Sequence, residues 1–166
     1  MTEKRERLRQ NTLIFLIDQE ENEILLGMKK RGFGAGKLNG YGGKVNKGET
    51  ITASAVREVM EEAEVEVAEK DLVKAAEILF YFNEHPDWNV HCFVYLCYHW
   101  RGEPKETEEM APEWHDLEAI PYDKTWSDDQ YWLPKVLAGD FLTAEFHFNG
   151  KGESFSEYTI HGVKKL

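Results

Sequence analysis

The chain has 166 residues and a mass of 19.3 kDa, which is the size of one globular domain. Apolar residues make up 42% of it and aromatic residues 13%, which excludes a largely disordered chain. Because the formal net charge is −11, the surface repels nucleic-acid phosphates and disfavours a protein that coats DNA or RNA. A partner that carries phosphate must therefore meet a local basic patch or a bound cation.

Residues 1–10, four of which are basic, predict a short extension ahead of a single domain over residues 11–166. The apolar run that follows the extension, 13–17, is too short for a signal peptide or a membrane span. The two cysteines, Cys92 and Cys97, have no CxxC spacing and lie in an apolar run, so they predict buried thiols. Together these features indicate a cytoplasmic protein that does not enter a membrane.

The first half of the domain predicts two strands, a loop and a helix. Two apolar runs, 11–18 and 23–29, flank a polar stretch and indicate a hairpin. Residues 27–48 hold eight of the thirteen glycines and indicate a loop. Residues 50–63 predict a helix, because apolar residues recur there at helical spacing: Ala55, Val56, Val59, Met60 and Ala63.

Strands dominate the prediction for the next segment. The runs 72–82 and 90–100 are rich in β-branched and aromatic residues, which favour strands. Residues 113–120 predict a short strand and a turn that end at Pro121.

The C-terminal segment predicts a second helix and a second hairpin. The helix covers 127–137, and Ser127 and Gln130 have the spacing of a capping box. The runs 141–148 and 153–160 alternate between apolar and polar residues around a glycine-rich turn. All the elements together predict an α+β fold, an α/β/α sandwich with a mixed β-sheet and two helices.

Three glutamates on the first predicted helix form a candidate metal site. Glu58, Glu61 and Glu62, here called the glutamate triplet, stand at i, i+3 and i+4 and share one face opposite the apolar stripe. Like charges at this spacing repel by about 0.2–0.5 kcal/mol per pair, and a hard cation such as Mg²⁺ would offset that repulsion. The alternative is a solvated acidic face with Arg57 and nearby lysines as counterions.

The preceding loop favours the metal interpretation. No acidic residue occurs between Ile24 and Gly48, whereas six basic residues do: Lys29, Lys30, Arg31, Lys37, Lys44 and Lys47. Glycines let the backbone approach a ligand, lysines neutralise phosphates, and a metal bridges carboxylates to phosphate oxygens. A basic loop that runs into an acidic helix face therefore suits a polyphosphate, although lysines that serve only solubility are the alternative.

This region resembles the signature of the Nudix hydrolase family. The chain reads Gly43-x5-Glu49-x7-Arg57-Glu58-Val59-x-Glu61-Glu62-x-Glu64-Val65, and the family signature is Gly-x5-Glu-x7-Arg-Glu-U-x-Glu-Glu-x-Gly-U, with U aliphatic. Eight of the nine defining positions agree. The departure is Glu64, where the family has the glycine that ends the helix, so we expect Glu64 to fray the helix or to extend it by a turn.

Three further segments, 27–45, 108–110 and 126–132, resemble the branch of the family that acts on oxidised purine nucleotides, and the similarity covers residues 11–160. The resemblance implies a Nudix-type α/β/α sandwich. It also implies hydrolysis of oxidised purine nucleoside triphosphates, of the 8-oxo-dGTP and 2-oxo-dATP type, to the monophosphate and pyrophosphate. The implied partner is this small molecule, with no nucleic-acid polymer and no membrane, and the implied state is a monomer.

The resemblance also implies the metal and catalytic roles. The glutamate triplet would bind Mg²⁺, or Mn²⁺ in its place, together with the carbonyl of Gly43. Glu109 would be an additional metal ligand or the base. Arg57 would orient Glu49 or its neighbours through a salt bridge.

The substrate-binding roles follow from the same resemblance. Asn39, Asp128 and Asp129 would hydrogen-bond the purine edge, and Trp126 and Met110 would sandwich the base. We call Asp128 and Asp129 the acidic pair. The other implied positions are in the pocket lining and on the sugar or phosphate side: Phe33, Phe80 and Trp132, and Thr12 and Lys29.

Each of these residues has a structural alternative. The acidic pair would favour a helix dipole in any first turn. Trp126 and Trp132 could both belong to the core, and Asn39 could be a turn residue with positive φ. Glu109 lies in a charge run that could be solvated, and the six histidines have no ligand spacing and are expected to be structural or on the surface.

Two other functions stay open at this point. One is a Nudix enzyme that acts on a dinucleoside polyphosphate, a nucleotide sugar or a methylated purine nucleotide. The other is a non-catalytic Nudix domain that senses a nucleotide, which is disfavoured because such domains tend to lose signature carboxylates and this chain has all of them.

The acidic pair suggests how more than one base could be read. Two adjacent carboxyls in an apolar pocket should not both ionise, because desolvation and mutual repulsion raise their pKa values. One would then donate a hydrogen bond while the other accepts one. Such a pair could read an oxidised guanine through N1–H and O6, and an oxidised adenine through its N6 amino group and N1.

Overall fold

The computed structural model describes residues 8–166, in which one mixed sheet is flanked by two α-helices. In chain order the elements are β1 (Arg9–Asp18), β2 (Glu23–Lys29), β3 (Leu38–Asn39), α1 (Ile51–Ala63), β4 (Leu72–Phe82), β5 (Val90–Cys97), β6 (Met110–Asp116), α2 (Asp129–Leu137), β7 (Phe141–Asn149) and β8 (Ser154–Val163). Residues 1–7, most of the predicted extension, lie outside the described part. The predicted fold class is confirmed.

The sheet combines parallel and antiparallel pairs in the order β3-β2-β1-β5-β4-β7-β8. The β1–β5 and β4–β7 pairs are parallel, and the β4–β5 and β7–β8 pairs are antiparallel. Strand β2 pairs with β6 along its whole length, with β1 at its start and with β3 at its end. Both predicted hairpins, β1–β2 and β7–β8, are therefore present.

The glycine-rich segment runs alongside β1 where β2 diverges from it. The amide of Ile14 donates to the carbonyl of Tyr41 at 2.6 Å, and the amide of Thr12 donates to the carbonyl of Gly43 at 2.9 Å. A Cβ on Gly42 would lie 1.9 Å from the carbonyl oxygen of Thr12, so only glycine permits this approach. The contact fixes the loop that leads into α1 against the sheet.

Each face of the sheet packs against one helix, which produces three layers. The side chains of β1 alternate between two separate cores: Leu13, Phe15 and Ile17 join the core that contains α2, whereas Ile14 and Leu16 join the core that contains α1. Because β1 carries apolar side chains on both of its faces, the strand is buried on both sides.

Two strand boundaries differ from the sequence prediction. Strand β6 begins at Met110, three residues before the predicted start, because it pairs with β2 from Lys29 back to Glu23. The residues after Asp116 form the predicted turn. Strand β5 ends at Cys97 and not at residue 100, because its neighbours β1 and β4 offer no further partners there.

The predicted cap of the second helix is wrong. Helix α2 begins at Asp129, two residues after the predicted start, and its N-cap residue makes no side-chain capping bond. Gln130 donates its side-chain amide to the carbonyl of Ser127 at 3.2 Å, whereas the Ser127 hydroxyl is buried without a partner in residues 8–166. In α1, Met60 is 43% exposed and does not belong to the buried stripe.

The prediction of buried thiols is confirmed. Both cysteines are free and buried. No helix within residues 8–166 combines the length and the apolar character needed to cross a membrane.

Helix α1 ends where the family signature would end it, despite the missing glycine. The helix stops at Ala63, and Glu64 itself adopts the left-handed conformation, with φ 56° and ψ 36°. The amide of Glu64 donates to the carbonyl of Met60 at 3.0 Å. The expected fraying or extension is therefore wrong, because the capping bond is kept at the cost of a conformation that suits glycine.

Glu64→Gly should stabilise the protein. The substitution removes the steric cost of the left-handed conformation, so we expect the free energy of unfolding to rise by about 1 kcal/mol. Urea denaturation of the variant and the wild type measures the difference. Asn22→Gly is the matched control, because Asn22 also has φ 56° but asparagine tolerates this conformation and should gain less. An unchanged or lower stability of Glu64→Gly would contradict the account.

Candidate active site

A cavity of 470 Å³ brings together every predicted substrate-binding residue. It opens on the α2 side of the sheet, with Leu13, Cys92 and Phe148 among its walls. Gly43 and Glu62 line it as well. The predicted residues on its wall are Thr12, Lys29, Phe33, Asn39, Phe80, Met110, Trp126, Asp128, Asp129 and Trp132.

One end of the cavity is formed by the glycine-rich segment that leads into α1, here called the α1 loop, and by the carboxyls of Glu58 and Glu62. Glu62 accepts a hydrogen bond from the amide of Gly42 at 3.1 Å. A Cβ on Gly43 would lie 2.7 Å from Glu58 Oε1, so the Glu58 carboxyl touches this backbone. Burial and the adjacent charge of Glu58 raise the pKa of Glu62 to about 8. The carboxyls of Glu58 and Glu62 thus repel each other next to the backbone of Gly42 and Gly43.

Arg57 divides the glutamate triplet. Its guanidinium binds Glu49 through Nε at 2.7 Å and Nη2 at 3.0 Å, and its Nη1 contacts Glu58 at 2.9 Å and Glu61 at 3.2 Å. The predicted salt bridge to Glu49 is present, and it lowers the pKa of Glu49 to about 2. The three carboxylates do not converge on one point: Glu58 and Glu61 share Arg57, whereas Glu62 faces the cavity.

The donor set at this end fits a hard divalent cation. Carboxylate oxygens and a backbone carbonyl are ligands that such ions prefer, and a cation would relieve the repulsion that raises the pKa of Glu62. Within residues 8–166 no three acidic, histidine or cysteine side chains already form a metal cluster. Because Arg57 already contacts Glu58, a cation would compete with Arg57 for this carboxylate.

The acidic pair forms the opposite end of the cavity and is almost fully buried. Asp128 is 1% exposed and Asp129 is 3% exposed. The indole nitrogen of Trp132 donates to Asp128 Oδ2 at 2.7 Å. Burial raises the pKa of Asp128 to about 6, and burial, the charge of Asp128 and a hydrogen bond between the two carboxyls raise the pKa of Asp129 well above its usual range. The pair therefore disfavours two negative charges, and we expect it to hold one proton at neutral pH, with Asp129 as the member whose charged form is more strongly disfavoured.

The structural alternatives for this end of the cavity hold in part, because Asp129 lies in the first turn of α2 and Trp132 belongs to the core. Asp128 is the N-cap residue of α2 but makes no side-chain capping bond. Trp132 is fully buried in the core and also donates to Asp128, so it serves both purposes. Asn39 lies in strand β3 without positive φ, and its side-chain oxygen accepts the amide of Gly40 at 2.9 Å.

Aromatic rings form the side walls of the cavity. The ring centroids of Phe33 and Trp126 are 5.1 Å apart, and Phe33 lies at the same distance from Trp88. Lys37 Nζ lies 5.4 Å from the centroid of the Trp126 ring. A Cβ on Gly152 would lie 2.3 Å from the Trp126 ring, so a glycine of the β7–β8 turn makes room for it. Flat rings around two carboxyls suit a planar heterocycle with polar edges.

Cationic side chains line this cavity beside its three acidic residues, in a chain whose net charge is −11. Arg9, Lys29 and Lys37 line it. These cations supply the local basic patch that a phosphate-bearing ligand needs.

Glu109 lies on a separate segment and has its own partner. Arg31 binds its Oε1 through Nε at 2.9 Å and Nη2 at 2.5 Å. This ion pair lowers the pKa of the Glu109 carboxyl. Glu109 is not among the cavity-lining residues, although its neighbour Met110 is.

The sequence analysis missed several residues of the cavity wall. Phe82 follows Phe80 at the spacing of one strand face, so the period-two pattern of β4 could have identified it. Arg9 and Asn11 precede the predicted site residue Thr12 on β1. Trp88 comes from a short turn between β4 and β5, for which the sequence held no comparable signal.

Comparison with known proteins identifies the family. The model of the NUDIX domain matches residues 7–136. The chain belongs to the NUDIX domain family. Two relatives of this NUDIX protein are named oxidized purine nucleoside triphosphate hydrolase. The mouse protein is 40% identical over 92% of this chain and 94% of its own length, and the zebrafish protein is 42% identical over 93% and 96%.

Solved structures agree on the fold. A crystal structure of a MutT protein from Bacillus halodurans superposes on this NUDIX chain with a TM-score of 0.77, covers 92% of it and 97% of its own chain, and shares 22% identity. NUDIX hydrolases generally use divalent metal ions.

Glu62→Gln should stabilise the metal-free protein at alkaline pH. The pKa of the Glu62 carboxyl is about 8 in the folded protein, compared with the ordinary value of 4.5 that applies when the chain is unfolded. The folded protein therefore binds this proton more tightly than the unfolded chain does, and the stability that this binding contributes is lost as the pH rises from 4.5 to about 8. Glutamine keeps the bond from Gly42 and carries no charge. We expect a gain on the order of 2 kcal/mol near pH 9 and almost none near pH 5.

Denaturation by urea in the presence of a chelator measures this gain at both pH values. Glu61→Gln is the matched control, because Glu61 is 57% exposed on the same helix and should show no comparable gain. Equal stability of wild type and Glu62→Gln near pH 9 would show that the negative charge of Glu62 does not destabilise the folded protein.

Proposed function

We propose that this protein hydrolyses oxidised purine nucleoside triphosphates, such as 8-oxo-dGTP and 2-oxo-dATP, to the monophosphate and pyrophosphate, and so keeps damaged nucleotides out of the pool. The observation that carries the proposal is the buried acidic pair at the end of an aromatic-walled cavity. The names of the mouse and zebrafish relatives, which align over more than 90% of the chain, support it.

The base would bind at the acidic pair. Asp129 holds a proton at neutral pH and can donate it, while Asp128, already an acceptor from Trp132, accepts from the base. Movement of the proton between the two carboxyls would exchange donor and acceptor, and this exchange accounts for recognition of both guanine and adenine derivatives. Asn39 would contact the purine edge, and Trp126 and Met110 would enclose the base.

The phosphates would lie at the other end, where Lys29 and the α1 loop line the cavity. The glutamate triplet and the carbonyl of Gly43 would hold Mg²⁺, or Mn²⁺ in its place. A bound divalent cation of this kind neutralises phosphate charge and lowers the pKa of water. Arg57 orients Glu49 and Glu58 through its salt bridges, and its hydrogen bond lowers the pKa of Glu49.

A carboxylate of the chain would take the proton from the attacking water, and Glu61 and Glu109 are the two candidates. Glu61 is 57% exposed on α1, beside the other members of the triplet. Glu109 is 43% exposed and must leave Arg31 to act as a base. Positioning and charge neutralisation supply most of the rate of such a reaction.

We also propose that the protein acts as a cytoplasmic monomer on a small molecule. Two buried free thiols support a reducing compartment, and the net charge of −11 argues against binding a nucleic-acid polymer. The domain that acts would span residues 11–166, preceded by the basic extension.

A panel of substrates tests the proposed function. Pyrophosphate release with Mg²⁺ should be faster by at least about tenfold in kcat/KM for 8-oxo-dGTP and 2-oxo-dATP than for dGTP and dATP, which is the preference that the names of the mouse and zebrafish relatives support. Dinucleoside polyphosphates, nucleotide sugars and methylated purine nucleotides complete the panel. Preference for any of these would contradict the proposal, and binding without turnover would indicate a sensor.

Variants of the acidic pair sharpen this test. Asp128→Asn and Asp129→Asn should each lower kcat/KM for at least one of the oxidised purines by roughly 10- to 100-fold, because an amide cannot exchange a proton with its neighbour and so fixes which side chain of the pair donates. The preference of the wild type between the two oxidised bases should shift with pH. Asp140→Asn, just after α2, is the matched control and should retain wild-type kinetics. Wild-type kinetics in both pair variants would leave the pair structural.

A further inference from the structure

Asn11 places an unused hydrogen-bond acceptor in the cavity. Its side chain lines the wall, and its Oδ1 is buried without a hydrogen-bond partner among residues 8–166. Burying an amide oxygen without a partner is unfavourable, and nearly all buried polar groups in proteins are paired. A buried acceptor that lines a binding cavity is therefore a group that a ligand can satisfy.

Asn11 lies between the two ends of the cavity. On one side it forms a bridge with Lys44, next to Gly43 of the phosphate end. On the other side it pairs with Cys92 of β5. Burial and, to a smaller extent, the charges of the acidic pair raise the pKa of the Cys92 thiol. Cys92 therefore lies close to the base end of the cavity. Asn11 thus lies where the two ends meet.

In a nucleotide, the sugar lies between the base and the phosphates. If the base occupies the acidic pair and the phosphates the α1 loop, as proposed above, the sugar passes the middle of the cavity. A 2′-deoxynucleoside triphosphate has one free sugar hydroxyl, at C3′, and a hydroxyl donates where an amide oxygen accepts.

We propose that Asn11 is a specificity-determining residue that accepts a hydrogen bond from the 3′-hydroxyl of the nucleotide sugar. This proposal rests on the proposed function. It adds a third recognition point between the base and the phosphates, and it gives the buried oxygen of Asn11 a partner that the chain itself does not supply.

The test compares substrates with and without the hydroxyl. The ratio of kcat/KM between 8-oxo-dGTP and its 2′,3′-dideoxy analogue is measured for wild type, Asn11→Leu and Asn11→Asp. Leucine has the same number and branching of side-chain heavy atoms as asparagine but no acceptor, so the ratio should fall about fivefold, which is the value of one neutral hydrogen bond. Asn11→Asp keeps an acceptor at the same place and should retain the ratio. Leu13→Val, two residues along the same wall, changes shape without removing an acceptor and should also retain it.

The stability of the free protein provides a second measurement. Asn11→Leu removes an unpartnered buried oxygen, so its melting temperature should equal or exceed that of the wild type. A fall of several degrees would mean that Asn11 serves the fold and would overturn the proposal. An unchanged substrate ratio in Asn11→Leu, or an equal loss with both substrates, would overturn it too. If the wild type hydrolyses neither nucleotide, the proposed function fails first and the role of Asn11 falls with it.

Discussion

The close approach of the glycine-rich segment to β1 is the constraint on which the site depends. Gly42 lies so near the carbonyl of Thr12 that no Cβ fits, and this contact fixes the backbone before α1. The same segment donates the Gly42 amide to Glu62, and its Gly43 backbone touches Glu58. One packing contact therefore sets the position of the carboxyls relative to the sheet, and thereby joins the helix to the cavity on the sheet.

Carboxyl groups are partly buried at the α1 end of this cavity and almost fully buried at the other end, and the cost of their burial is offset differently at each end. At the α1 end the pKa of Glu62 rises because burial and Glu58 disfavour its charge, and a cation would remove that cost. At the other end no cation is needed, because the acidic pair shares a proton and Trp132 donates to Asp128. The same side-chain chemistry thus suits phosphates at one end and a neutral heterocycle at the other.

The sequence predicted the layers well because the apolar patterns are long and regular. The continuous apolar run of β1 indicates a strand that is buried on both faces, and the stripe on α1 specifies which face of the helix is buried. It predicted less well where pairing partners decide the outcome: β5 ends with its neighbours, and β6 begins where β2 allows. The end of α1 is a similar case, since the bond from Glu64 to Met60 outweighs the absence of glycine.

The candidate site was predictable in its residues but not in its contacts. Family resemblance supplied ten positions that line one cavity, yet the division of the triplet by Arg57 depends on side-chain directions that no signature encodes. Trp88 and Asn11 were missed because their part in the cavity depends on a turn and on a strand neighbour.

The protonation of the acidic pair is the central claim, and a carboxyl titration tests it most directly. Carbon-13 NMR of protein labelled at the aspartate carboxyls, with assignments from Asp128→Asn and Asp129→Asn, follows each group from about pH 3 to about pH 9. We predict that Asp129 still holds its proton at neutral pH and that Asp128 ionises near pH 6. Ionisation of both carboxyls near the ordinary aspartate value of 3.8 would contradict the account, because the pair would then offer a base two acceptors and no donor.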